Sequence, residues 1–137
     1  MTIALPKPRH TILVVDDEPE VLRLFTRILS AENALILTAE TGTQALEIAR
    51  KTRLDLAILD VKLPDMSGTE VLRHLRSIDE GVPVIMATSY GSAETVRTSM
   101  KLGAFDYLTK PFENQEIRRV AREALASRAG RPIPSKA

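Results

Sequence analysis

Four short stretches place groups of complementary chemistry at the ends of apolar runs: Asp16-Asp17-Glu18, Asp60, Thr88-Ser89 and Lys110-Pro111. Carboxylates gathered at one point repel and raise one another's pKa unless a cation sits among them. The simplest candidate is Mg²⁺, a hard ion that takes oxygen ligands and prefers one or two carboxylates together with a phosphate. A carboxylate is also a nucleophile toward phosphorus, forming an aspartyl-phosphate. A threonine hydroxyl and a lysine facing the same point would hydrogen-bond and neutralise phosphoryl oxygens. Taken singly, each residue has a simpler reading. A strand-ending Asp, or Thr88, is ordinarily a helix cap; Lys110 reads as a surface lysine and Pro111 as a loop breaker. Only their joint placement points to chemistry.

Short apolar runs alternate with amphipathic stretches five times along the chain. Strands are expected at Thr11 to Asp16, Leu35 to Ala39, Leu54 to Asp60, Val84 to Thr88 and Phe105 to Thr109. The first helix starts at Pro19, whose missing N–H costs nothing in a first turn, and buries Val21, Leu24, Phe25, Ile28 and Leu29. The second covers Gly42 to Arg50, and the third follows Gly68 with Val71, Leu72, Leu75 and Ile78 inward. The last runs from Asn114 to Ala129 on Ile117, Val120, Ala121, Ala124 and Leu125. The fourth, near Ala93 to Leu102, has a thin apolar stripe of Ala93, Val96 and Met100, so little area holds it down. Strands that are continuous apolar runs are buried on both faces, which implies a parallel sheet covered by helices. Right-handed crossovers then give a doubly wound α/β sandwich. In such a sheet ligands bind at the carboxyl ends of the strands, where the acids, the hydroxyl and the lysine fall.

The 137 residues suit one core. The chain has no cysteine, which excludes disulfides and thiolate metal sites. No apolar run approaches the roughly 20 residues of a membrane span, and Met1 to His10 lacks the apolar segment of a secretory signal. A cytoplasmic protein with no membrane association is expected. Net charge is +1, and the basic stretch after Gln115 lacks interleaved aromatics, so direct nucleic-acid binding is not expected. Residues 1–9 and 130–137, with their prolines and basic residues, are expected to be mobile tails around a domain at 10–129. His10, at the boundary of the first tail, and His74, on the third helix, have no pairing spacing and read as surface residues.

The segments VVDDEPEV, LAILDVKLPDMSGTEVL, VIMATSYGSAETV and KLGAFDYLTKPF resemble the receiver domains of two-component response regulators. The resemblance covers about Thr11 to Ala126, and ATSYGSAETVRTSMKLGAFDYLTKPF is most similar to receivers of NtrC-type transcription activators. It implies a flavodoxin-like (βα)5 sandwich with strand order 2-1-3-4-5 and a switch rather than a turnover enzyme. Asp60 would be the phosphoacceptor, Asp16 and Asp17 would organise Mg²⁺ with Asp60, and the Lys62 backbone carbonyl would be a further ligand. Thr88 and Lys110 would contact the phosphoryl group, Tyr107 would report the state, and the bond to Pro111 would be cis. Lys62 and Tyr90 would tune dephosphorylation. The implied partners are a cognate histidine kinase and, through the face of the fourth helix, fifth strand and fifth helix, a second copy of the chain.

Two rival chemistries fit less well. A haloacid-dehalogenase-type phosphatase needs a second Asp two residues after the nucleophile, where Lys62 stands. A flavin-binding module needs a Ser/Thr/Gly-rich loop after the first strand, where Asp-Asp-Glu would repel a phosphate. The sequence carries no GxxxxGK[ST] loop and no helix-turn-helix, so it is either a stand-alone receiver or the receiver part of a longer regulator. Gly130-Arg131-Pro132 reads as the start of a linker to an output domain.

Overall fold

In the computed structural model, which describes residues 10–89 and 92–129, strands and helices alternate from end to end. The strands are β1 (His10–Val15), β2 (Ala34–Ala39), β3 (Leu56–Leu59), β4 (Val84–Thr88) and β5 (Asp106–Thr109). The helices are α1 (Pro19–Ser30), α2 (Gly42–Lys51), α3 (Gly68–Ile78), α4 (Ala93–Lys101) and α5 (Asn114–Ala129). All strand pairs are parallel, in the order β2-β1-β3-β4-β5 expected for the doubly wound sandwich.

Alternate residues of each strand feed two cores. Ile12, Val14, Leu56, Ile58, Ile85 and Ala87 face Phe25, Leu29, Val120 and Ala121 of α1 and α5. Leu13, Val15, Ala57, Leu59, Val84 and Met86 face Leu46, Val71, Leu72 and Leu75 of α2 and α3. The central strands are apolar on both faces because both faces are covered. Helix starts follow cap chemistry: Thr41, Ser67 and Ser92 accept from the N–H groups of Gln44, Glu70 and Thr95. Among the described residues no helix is long and apolar enough to cross a membrane.

Three local expectations change. β3 begins at Leu56, because Asp55 turns its carboxylate to the Thr11 N–H at 2.8 Å ahead of the ladder. His10, expected as a surface residue at the tail boundary, is the half-buried first residue of β1, paired with Ala34. In α4 the inward position belongs to Ser99, which is fully buried, whereas Ala93 is exposed and Met100 is 46% exposed. An apolar-spacing argument passes over a serine, so it names Met100 where the buried position is Ser99, while Val96, one turn earlier, is half-buried. The mobile tails and Tyr90 lie outside the described residues.

The Ser99 hydroxyl has no hydrogen-bond partner among the described residues. An unsatisfied buried hydroxyl costs about 1–3 kcal/mol, so α4 docks against an internal penalty. Ser99→Ala removes it and should stabilise the chain by about 1 kcal/mol in urea unfolding. A lower midpoint would mean the hydroxyl is satisfied.

Candidate phosphoryl-transfer site

The register of the sheet creates the site. Val15 pairs with Leu59, so the chain leaves β1 and β3 level, and Asp16 and Asp60 emerge side by side. The Asp60 N–H still bonds the Val15 carbonyl at 3.0 Å, and the Asp16 N–H bonds that of Ala39 at 3.1 Å, which fixes both Cα positions. On the other side Thr88 pairs with Thr109, and the Lys110 N–H donates to the Thr88 carbonyl at 3.0 Å. Four strand ends thus deliver two acids, a hydroxyl and an amine to one edge.

Both central carboxylates are withdrawn from water: Asp16 is 2% and Asp60 5% exposed, and Thr88 is fully buried. Burial, together with the neighbouring Asp60 charge, pushes the Asp16 carboxyl up to about 6, despite the Glu18 N–H that bonds its Oδ1 at 2.8 Å. The Lys110 Nζ stands 2.9 Å from Glu18 Oε1, 3.5 Å from Asp16 Oδ2 and 4.0 Å from Asp60 Oδ2. Burial works against its charge, but the Glu18 hydrogen bond and the charges of Asp16, Asp60 and Glu18 outweigh it and hold the ammonium above its ordinary pKa. Tyr107, half-buried on β5, is also raised, by burial and by the Asp60 charge.

The ligand-capable oxygens of Asp16, Asp17 and Glu18 all lie within 4.8 Å of one another. This donor set fits a hard divalent cation. All its atoms are carboxylate oxygens, and one acid, Asp16, is buried beside the Asp60 charge, a repulsion that a divalent ion would relieve.

The loop after β3 carries the remaining pieces. The Lys62 N–H donates to Asp60 Oδ1 at 3.3 Å, and Lys62 forms an isolated antiparallel bridge with Ser67. Gly68 closes the loop by donating to the Val61 carbonyl at 2.6 Å. After β5 the Lys110–Pro111 peptide is cis, and Phe112 meets Phe25 of α1 edge-on with ring centroids 5.3 Å apart. That contact ties the lysine-bearing loop to the core.

Asp16, Asp17, Asp60, Lys62, Thr88, Tyr107 and Lys110 are therefore gathered at one end of the sheet or on the strands and loops that reach it, while Tyr90 lies outside the described residues. Two residues were missed. Glu18 had no assigned role and proves to be the near partner of Lys110; its adjacency to the acid pair was the available signal. Asp65, in the β3–α3 loop, bonds the start of α2 more than 20 residues away, and no local pattern announces that.

Comparison with known proteins agrees with this geometry. Residues 12–122 match the response regulator receiver domain family. The chain is 39% identical over 114 residues to sporulation initiation phosphotransferase F of Bacillus subtilis, covering 83% of this chain and 92% of that protein. It is 43% identical over 107 residues to the probable transcriptional regulatory protein TcrX of Mycobacterium tuberculosis, covering 78% of this chain but 46% of TcrX, about half its length. Among solved structures, the beryllofluoride-activated NtrC4 receiver domain dimer superposes with a TM-score of 0.80 at 29% identity, covering 84% of this chain and 95% of that one. The chain belongs to the response regulator receiver domain family of two-component signalling switches.

Proposed function

We propose that Asp60 accepts a phosphoryl group from a phosphohistidine on a partner kinase. The observation that carries this reading is the pair of buried carboxylates, Asp16 and Asp60, set beside one lysine at the carboxyl edge of the sheet. In the transfer an Asp60 carboxylate oxygen forms a bond to phosphorus while the P–N bond breaks, and its electron pair leaves with the imidazole nitrogen. Asp16, Asp17, Asp60 and the Lys62 carbonyl would hold Mg²⁺, which when bound neutralises phosphoryl oxygens as a Lewis acid. Lys110 would exchange its Glu18 contact for a phosphoryl oxygen, and the Thr88 hydroxyl would donate to another.

The new phosphoryl group adds about −1.5 to −2 charge at one point. Thr88 and Lys110 close on it, Tyr107 turns inward behind Thr88, and α4 shifts. The face of α4, β5 and α5 is then the surface that changes, and it would pair with a second copy, as the NtrC4 receiver forms a dimer. Lys62 and Tyr90 would shield the phosphoryl group from an in-line water and so set its lifetime.

The domain spans 10–129, and the output it governs is transcription through further domains, a reading supported by TcrX, a probable transcriptional regulatory protein about twice as long as the matched stretch. A second reading has one specific support: the match spans 92% of a phosphotransferase, which favours a relay intermediate passing its phosphoryl group onward.

The Mg²⁺ assignment is tested by amide chemical shifts recorded during a titration. Asp17→Ala should weaken binding roughly tenfold, a change of about 1.4 kcal/mol. Equal affinities would remove Asp17 from the metal site.

A further inference from the structure

We infer that Asp65 is a positioning residue: its carboxylate clamps the phosphoacceptor loop onto the start of α2 and so holds the Lys62 carbonyl in place for the cation. This rests on the reading that Asp60 takes a phosphoryl group with a divalent ion. Asp65 Oδ1 accepts the Gly42 N–H at 2.8 Å, and Oδ2 accepts the Thr43 N–H at 2.9 Å and the Thr43 hydroxyl at 2.6 Å.

The first N–H groups of a helix have no partner inside it. In α2 the N-cap Thr41 serves only the Gln44 N–H through its side chain, at 3.1 Å. The two donors before it, Gly42 and Thr43, are met from another loop. A carboxylate is the group best suited to that task, because it also complements the positive end of the helix dipole. The Asp65 carboxyl is accordingly pulled down to about 2, chiefly by the Thr43 hydroxyl and the Gly42 and Thr43 N–H groups.

An apolar contact beside the clamp reinforces it. A Cβ on Gly42 would lie 2.5 Å from Met66 Cγ and 2.9 Å from Val71 Cγ2, so the loop and α2 approach as closely as a glycine allows. The loop is thereby tied at three places. Its stem is held by the Asp60 N–H on β1, its exit by the Gly68 N–H on Val61, and its tip by Asp65 on α2.

The start of α2 is itself fixed to the site's edge. It follows β2 after two residues, and the last residue of β2, Ala39, bonds the Asp16 N–H. Asp65 therefore couples the loop bearing Lys62 to the strand edge bearing Asp16, without touching the acids itself. Its effect must pass through loop position, and it should appear as metal affinity rather than as chemistry.

The test compares wild type, Asp65→Ala, Asp65→Asn and Thr43→Val in two measurements. Mg²⁺ binding is followed by amide chemical shifts, and initial phosphorylation by acetyl phosphate is recorded across Mg²⁺ concentrations. For Asp65→Ala the Mg²⁺ needed for half-saturation should rise roughly tenfold, the low end for groups that orient a metal ligand. Saturating Mg²⁺ should restore the wild-type maximal rate. Asp65→Asn, which keeps one acceptor oxygen, and Thr43→Val, which removes one donor, should show smaller rises. Unchanged Mg²⁺ dependence in Asp65→Ala, or a rate loss equal at every Mg²⁺ concentration, would overturn the inference. A wild-type chain with no Mg²⁺-dependent shifts would overturn the underlying reading, and this one with it.

Discussion

Asp60→Asn should take up no phosphoryl group from acetyl phosphate or from a phosphorylated histidine kinase, with a rate at least about a thousandfold below wild type, or roughly 4 kcal/mol in barrier. The substitution is nearly isosteric. The amide oxygen can still accept the Lys62 N–H, and the backbone N–H still bonds Val15. What it removes is the nucleophile, since a neutral amide has no anionic oxygen to offer phosphorus. The fold should be undisturbed or slightly firmer, because one of two adjacent buried acids is gone and Asp16 no longer faces its charge. Chemical shifts of the core residues in β1 and α5 should match wild type, so lost labelling cannot be ascribed to unfolding. Labelling at the wild-type rate would mean that another residue is the acceptor.

The largest expected effect on stability comes from Gly68→Ala. A Cβ at this position would lie 2.0 Å from the Asp60 carbonyl oxygen and 2.9 Å from Val61 Cα. Those atoms are backbone, so no rotamer change relieves the clash. Moving the loop breaks the 2.6 Å bond from Gly68 to Val61 and drags the phosphoacceptor with it. Overpacking ordinarily costs about 1–3 kcal/mol; a clash between fixed backbones should reach the top of that range, lowering the melting temperature by roughly 10 °C. Phosphorylation should slow in parallel, because Asp60 no longer leaves β3 level with Asp16. An unchanged melting point and rate would show that the loop yields without consequence.

The elements that position the site were legible because each carries its own signal. Continuous apolar runs marked the strands, and in a parallel sheet their ends must converge. Asp16, Asp60, Thr88 and Lys110 could therefore be grouped before any distance was known. The illegible parts depend on contacts between segments remote in sequence. Asp65 caps a helix that starts more than 20 residues before it, and its neighbours in sequence give no hint of that partner. Glu18 reads as a third carboxylate beside the acid pair, and nothing near it in sequence announces Lys110, far along the chain, which reaches it at 2.9 Å. Ser99 was hidden by its own polarity: hydrophobic spacing cannot locate a buried face whose inward residue is a serine. His10 reads as a surface residue at the tail boundary because β-pairing with Ala34 is not written in its own type.

The most direct test of the account is where, and on what condition, phosphate attaches to the unaltered chain. The purified protein is incubated with acetyl phosphate with and without Mg²⁺, weighed intact by mass spectrometry, and then reduced with borohydride to mark the acyl-phosphate site before peptide mapping. The expected result is a single added phosphoryl group, gained only with Mg²⁺ and mapped to Asp60. No mass gain with Mg²⁺ present, or a gain mapped to any other residue, would contradict it.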